Sequence, residues 1–116
     1  MERPWQITNE EQWDVLRAEI TRAASGILDG SIDLITGARQ LASLSQKVHA
    51  DRDPDFVAFI GIDSETDVFP LGAVRQHWNP DALAKYDLER ERAEEQYRPR
   101  ALECARRLLT KYAQTI

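Results

Sequence analysis

The sequence predicts an all-α protein in which an N-terminal antiparallel helical hairpin packs against a central buried helix and a long C-terminal helix kinked near Pro99. Two observations predict this fold. Apolar residues recur at spacings of three and four over most of the chain, and a residue type that caps helix N-termini precedes each such stretch. Because 116 residues is the length of one compact unit, we expect a single helical domain over residues 1–116.

The first helix is predicted to begin at Thr8, because Thr8 and Glu11 have the spacing of a capping box. Gly30 supplies its C-terminal stop. Between these ends lies one apolar stripe with the helical period, formed by Trp13, Leu16, Ile20, Ala23, Ala24 and Ile27.

A second helix is predicted to follow at once, with Ser31 as its N-cap and its end near Ala50. Two helices joined so closely fold back on each other as an antiparallel hairpin. Pairing them symmetrically about Gly30 places Ala23 opposite Gly37, and a close crossing there explains a glycine in mid-helix. The apolar stripe of the second helix consists of Leu34, Ile35, Ala38, Leu41, Ser45 and Val48.

The central segment, Phe56–Ile62, is apolar throughout and is compatible with a buried helix or a buried strand. Asp53 and Pro54 before it have the form of an N-cap and a first-turn proline, which favours the helix. A strand would also need a partner, and no second segment has a convincing strand pattern. We predict a loop from Asp63 to Gly72 and a short helical turn after it.

A long C-terminal helix is predicted to start at Asn79-Pro80 and to continue to Tyr112. Pro99 lies inside it and removes a helical hydrogen bond, so we expect a kink or a break near that residue. The apolar face is thin before the proline and well formed after it. The later stripe contains Ala101, Cys104, Ala105, Leu108 and Tyr112, which makes Cys104 a core residue rather than a nucleophile.

Composition limits the classes of partner. Fifteen basic and twenty acidic residues give a net charge of −5, the wrong sign for general attraction to nucleic acid or to anionic membranes. The longest apolar run is far shorter than the roughly 20 residues that span a bilayer, and residues 1–5 show no secretory signal. We therefore expect a cytoplasmic protein. Because the glycines form no phosphate-binding loop and the two histidines have no metal-ligand spacing, we also expect no cofactor or metal.

Two groups of acidic residues are candidate sites. Asp63, Glu65 and Asp67 are close enough in sequence to bind a cation or to raise one another's pKa, and with His77 they form a possible metal-dependent hydrolase site. The alternative is a solvated turn. The second group lies on the long helix, where the weak apolar face indicates either a solvated surface or a contact with a partner or a second copy. Its acids are Asp87, Glu89, Glu91, Glu94 and Glu95.

Residues 62–78 contain the pattern I-D-S-E-T-D-x-x-P-x-G-x-x-R-x-x-W. This pattern resembles the core of small bacterial proteins of uncharacterised function, some of them interpreted as immunity partners of secreted toxins. The resemblance implies a stand-alone cytosolic protein and transfers no catalytic residues. From the residues themselves we expect Asp63 and Asp67 to cap the turn, Arg75 to bind one of its carboxylates in bidentate geometry, and Trp78 to cover this network.

These observations together predict a non-enzymatic protein-binding module, most concretely an immunity or antitoxin-like protein that neutralises a basic toxin domain. A small metal-dependent hydrolase and a homodimeric structural protein are the alternatives. The predicted partner-binding residues are Asp63, Glu65, Asp67, Arg75, Glu91, Glu94 and Glu95.

Overall fold

The computed structural model describes residues 2–113, which form four α-helices and one short 3₁₀ helix and contain no strand. The all-α prediction is confirmed. The central apolar segment is helical, so the strand alternative is wrong. The α-helices are α1 (Glu10–Asp29), α2 (Leu34–Lys47), α3 (Pro54–Thr66) and α4 (Pro80–Ala113), and the 3₁₀ helix, Gly72–His77, lies between α3 and α4.

The N-termini of α1 and α2 differ from the prediction by one and two residues. Asn9, not Thr8, caps α1, and its side-chain oxygen accepts from the backbone N–H of Gln12 at 3.0 Å. Asp33, not Ser31, caps α2, and its carboxylate accepts from the backbone N–H of Thr36 at 3.0 Å. A carboxylate at a helix N-terminus is also favoured by the helix dipole, which a serine hydroxyl cannot exploit to the same degree.

The later start of α2 changes the register of the hairpin. A Cβ on Gly37 would lie 2.5 Å from Cγ1 of Ile27, so Gly37 lies against Ile27 rather than against Ala23 as predicted. The space beside Gly26 is likewise filled by the side chain of Ile32, which lies in the connection between α1 and α2. The close approach predicted for Gly37 is therefore present, but with a different neighbour.

Helix α3 begins as predicted, because the carboxylate of Asp53 accepts from the backbone N–H of Asp55 at 2.9 Å and Pro54 occupies the first turn. The helix ends later than predicted, because α3 continues to Thr66, whereas a loop was predicted from Asp63. Thr66 and Ile62 are buried, and the Thr66 hydroxyl donates to the Ile62 carbonyl. Burial of Ile62 and Thr66 outweighs the low helix propensity of Asp63, Ser64 and Thr66.

Helix α4 runs through Pro99 without a break, so the predicted break near this residue is wrong. The alternative, a kink of the helix axis at Pro99, stays a prediction. Its 34 residues have a length of about 51 Å at 1.5 Å per residue, close to the longest dimension of the molecule, 49 Å. The radius of gyration of 15.1 Å exceeds the roughly 13 Å expected for a sphere-like domain of this size. Among the described residues, no helix is both long and apolar enough to cross a membrane.

The core is formed by a cycle of contacts in which α1 packs on α2 and α4, and α3 packs on the same two helices. Tyr112 joins two of these faces, with its ring edge-on to Trp13 at 6.0 Å and to Phe56 at 5.8 Å. Cys104 is fully buried, as predicted, and burial raises the pKa of its thiol. Every buried residue of α4 lies after Pro99. The side chains of residues 80–100 are partly buried or exposed.

Candidate functional site

The three carboxylates predicted as one cluster lie on the last turn and the C-cap of α3. Helix geometry separates Glu65 from the other two, because residues two apart face different sides, whereas Asp63 and Asp67, four apart, share a side. Asp63 receives a hydrogen bond from Nε of Arg39 on α2 at 3.1 Å, whereas Glu65 and Asp67 are exposed. Within residues 2–113, no group of three or more His, Cys, Asp and Glu side chains is placed to hold a metal ion. The arrangement does not support the metal-dependent hydrolase.

The C-terminal end of α3 carries uncompensated negative charge. Its last turn contains no basic residue, and Glu65 and Asp67 make no ion pair or hydrogen bond with the described side chains. A helix C-terminus is the negative end of the dipole, where a carboxylate is unfavourable by roughly 0.3–1 kcal/mol. Val68, the residue after Asp67, is 58% exposed, so an apolar side chain follows these two carboxylates in the sequence. A cationic ligand would offset the unfavourable interaction between these carboxylates and the negative end of the helix dipole.

Arg75 forms the bidentate contact that the sequence predicted, but with a different carboxylate. Its Nη1 and Nη2 each lie 2.8 Å from one oxygen of Asp87 on α4, and Nη1 also lies 3.3 Å from the Pro70 carbonyl. The prediction that Arg75 binds a carboxylate of the α3 turn is wrong. The hydrogen bonds from Arg75 lower the pKa of Asp87. Arg75 therefore fixes the segment before α4 rather than presenting a free charge.

Three aromatic rings reinforce this attachment. Tyr86 on α4 meets Trp78 edge-on at 5.3 Å and Phe69 edge-on at 6.1 Å. Such edge-to-face pairs contribute about 0.5–1.5 kcal/mol each beyond the area they bury. Residues 69–78 are thus held against the first two turns of α4, with Trp78 at the border of the cluster.

Of the three glutamates predicted on α4, one belongs to an ion-pair network. Glu94 is only 15% exposed and accepts from Arg90 at 3.2 Å, with Arg98 at 3.7 Å on its other oxygen. Arg90 also pairs with Asp33, the N-cap of α2. Arg90 therefore joins α4 to the hairpin, and Glu94 pairs with it from within α4, while Glu91 and Glu95 remain exposed.

A second network joins α3 to the end of α4, and sequence reasoning missed it. The Asp55 carboxylate, 6% exposed, accepts from Arg107 Nε at 2.7 Å and from Lys111 Nζ at 2.8 Å, and Lys111 also reaches Asp53 at 3.0 Å. Burial acts to raise the pKa of Asp55, but the hydrogen bonds from Lys111 and Arg107 lower it overall. The only local signal is the four-residue spacing of Arg107 and Lys111, which places both on one side of α4.

No family model, curated protein or solved structure matches this chain. The resemblance of residues 62–78 to small bacterial proteins therefore stays a prediction.

Proposed function

We propose that this chain is a non-enzymatic, cytoplasmic protein-binding module of the immunity or antitoxin type, which neutralises a basic toxin domain. The observation that carries the proposal is the C-terminal end of α3, where Glu65, Asp67 and Val68 are all exposed and the last helix turn contains no basic residue. Free acids at the negative end of a helix cost stability, which favours a role in recognition over a role in folding.

Two of the predicted binding residues, Asp63 and Arg75, hold the surface in place and supply none of its unpaired charge. Asp63 is paired with Arg39, and Arg75 is paired with Asp87. Together these pairs fix the last turn of α3 and the segment after it. A rigid acidic and apolar patch binds at lower entropic cost than a loop that must be ordered by its partner.

The outward side of α4 is a weaker candidate for recognition. Glu91 and Glu95 are exposed there, but so are Arg92 and Arg98, and Glu94 is already neutralised by its two arginines. A surface with both signs of charge gives little long-range attraction for a basic domain. We therefore assign recognition to the α3 end, defined as Glu65, Asp67 and Val68.

The partner to test is a toxin domain encoded immediately upstream, if the neighbouring gene encodes one. Co-expression of the two chains in a bacterial host should restore growth, whereas the toxin domain alone should stop it. With purified proteins, stopped-flow mixing should give an association rate that falls steeply as sodium chloride is raised, because salt screens the attraction over about 8–10 Å.

Paired variants distinguish the two surfaces. Glu65→Gln with Asp67→Asn should lower the association rate on the order of tenfold at low salt, while Glu91→Gln with Glu95→Gln, which removes the same charge, should change it little. All four side chains are exposed, so both variants should keep the far-ultraviolet circular dichroism of the wild type. If only the α4 variant slows association, the assignment to the α3 end is wrong. The immunity function itself is overturned if the neighbouring gene encodes no toxin or the chain gives no protection.

A homodimer is the second candidate, and one observation favours it. Residues 80–100 contain no buried side chain, and Leu88 in this stretch is 51% exposed. Sedimentation equilibrium tests this directly. A dimer that Leu88→Glu dissociates supports pairing through α4, whereas a monomer at all concentrations excludes it.

A further inference from the structure

A groove of about 510 Å³ lies between α1 and α2, away from the exposed residues of the α3 end. One helix supplies Glu19, Arg22 and Ala23, at the spacing of a single helix face. The other supplies a matching face, and Ile32 from the connection completes the lining. The residues from α2 are Arg39, Gln40, Ser43, Leu44 and Lys47. The volume lies within the range of about 300–1,000 Å³ that is typical of small-molecule sites.

The charge of this groove is opposite to that of the protein as a whole. Arg22, Arg39 and Lys47 line it against a single acid, Glu19, in a chain of net charge −5. Arg22 and Lys47 are exposed and form no ion pair with another described residue. Their charges are therefore available to a ligand. By contrast, ion pairs within the protein already engage Arg75, Arg90, Arg107 and Lys111.

Arg39 is held in position from behind. Its Nε donates to Asp63 on α3 at 3.1 Å, which fixes the plane of the guanidinium, while its Nη1 and Nη2 donate to no described residue. A fixed guanidinium with two free nitrogens is suited to bidentate binding of a carboxylate or phosphate. Asp63 offsets part of the charge of Arg39, so the groove also needs Arg22 and Lys47 to attract an anion.

The remaining lining defines what else the ligand carries. Gln40 and Ser43 add neutral hydrogen-bonding groups, and Ala23, Ile32 and Leu44 supply an apolar portion. We propose that the α1–α2 groove binds a small molecule that bears two or more phosphate or carboxylate groups. Arg39 binds one anionic group through its two free nitrogens, and Arg22 and Lys47 bind the others.

The test uses the full chain labelled with ¹⁵N, titrated at low salt with inorganic pyrophosphate and, separately, with citrate. We expect saturable amide shifts at residues 19–23 and 39–47 and none at the α3 end. The ligand with the lower dissociation constant assigns the preferred class, phosphate or carboxylate. If neither produces saturable shifts at millimolar concentration, or if the shifts lie elsewhere, the proposal is overturned.

Variants separate a built site from general charge attraction. Arg22→Gln and Lys47→Gln, both at exposed side chains, should each weaken binding on the order of tenfold. Arg39→Lys, which keeps the charge but loses the two-pronged geometry, should weaken it as well. Lys85→Gln is the matched control, because it removes one exposed cation from α4 outside the groove. Equal weakening by Lys85→Gln would show non-specific attraction and overturn the proposal, and unfolding by any variant is checked by circular dichroism.

Discussion

Arg75 and Asp87 form a two-pronged ion pair that joins the 3₁₀ helix to α4, with both guanidinium nitrogens 2.8 Å from the carboxylate oxygens. Arg75 belongs to the pattern of residues 62–78, and Asp87 lies beyond it on α4, so the pair links this segment to the next helix. Because the Pro70 carbonyl accepts from the same guanidinium, one side chain links two points of the connection between α3 and α4 to Asp87 on α4.

Arg75→Lys should loosen this connection without unfolding the protein. Lysine keeps the positive charge but cannot bind both oxygens of Asp87 in a plane. We expect faster amide hydrogen exchange over residues 69–78 and unchanged exchange in α1 and α2, because local openings need not involve the core. Arg106→Lys, at an exposed residue of α4, is the control. Unchanged exchange in Arg75→Lys would mean that the aromatic contacts of Tyr86 hold the segment alone.

Gly37→Ala should destabilise the hairpin even though alanine is the better helix former. The added Cβ would lie 2.5 Å from Cγ1 of the buried Ile27, and such overpacking costs about 1–3 kcal/mol against a gain of about 1 kcal/mol in helix propensity. Gly61→Ala is the matched control, because its Cβ would meet open space, and it should stabilise α3 by up to about 1 kcal/mol. Urea unfolding measures both. A stabilised Gly37→Ala variant would show that Ile27 can move aside.

Pro99→Ala should raise the free energy of unfolding by about 1–3 kcal/mol, since proline in a helix interior lacks one hydrogen bond and crowds the preceding turn. Pro99 is exposed, so the substitution leaves no cavity. Pro80→Ala, at the first residue of α4 where no helical hydrogen bond is lost, should bring no comparable gain. Thermal unfolding compares the two. An unchanged midpoint for Pro99→Ala would mean that α4 already bends enough to relieve the clash.

The Asp55 network should make part of the stability depend on acid pH. The pKa of Asp55 is lowered in the folded state, so its contribution is present above the ordinary aspartate pKa of about 3.9 and is lost as pH falls through the lower folded pKa. Asp55→Asn should cost about 1–3 kcal/mol at pH 7, and the difference from wild type should shrink below pH 4. Asp51→Asn, at an exposed residue that forms no ion pair within residues 2–113, should leave stability unchanged. A pH-independent difference would contradict the ionic role of Asp55.

Tyr112 should contribute an alkaline limit to stability. Burial first, and the charge of Asp53 second, raise the pKa of Tyr112 to about 12, above the unfolded value of about 10. The stability linked to this group is complete below pH 10 and is lost as pH rises toward 12. Urea unfolding between pH 8 and pH 11 should therefore show a decline that Tyr112→Phe reduces. The pKa of Lys111 is also raised, so the stability linked to Lys111 is lost in the same pH direction and accounts for the rest of the decline. An identical decline in Tyr112→Phe would exclude the tyrosine.

The sequence by itself determined which segments are helical and most of the side chains that they bury. Asp53-Pro54 and Asn79-Pro80 marked the starts of α3 and α4, and the apolar stripes of α1, α2 and the end of α4 are the core. The starts of α3 and α4 and the period of the stripes depend on residues within one or two helical turns, so the local sequence indicates them.

Only the tertiary structure decided which charges are free and which are paired. Asp63 finds Arg39 across 24 residues, Arg75 finds Asp87 across 12, and Lys111 finds Asp53 across 58. The extension of α3 through Thr66 likewise depends on its burial in the tertiary structure rather than on its own propensity. Ion pairs between helices are set by which faces pack together, and that arrangement is fixed by burial over the whole chain, so no short stretch of sequence specifies it.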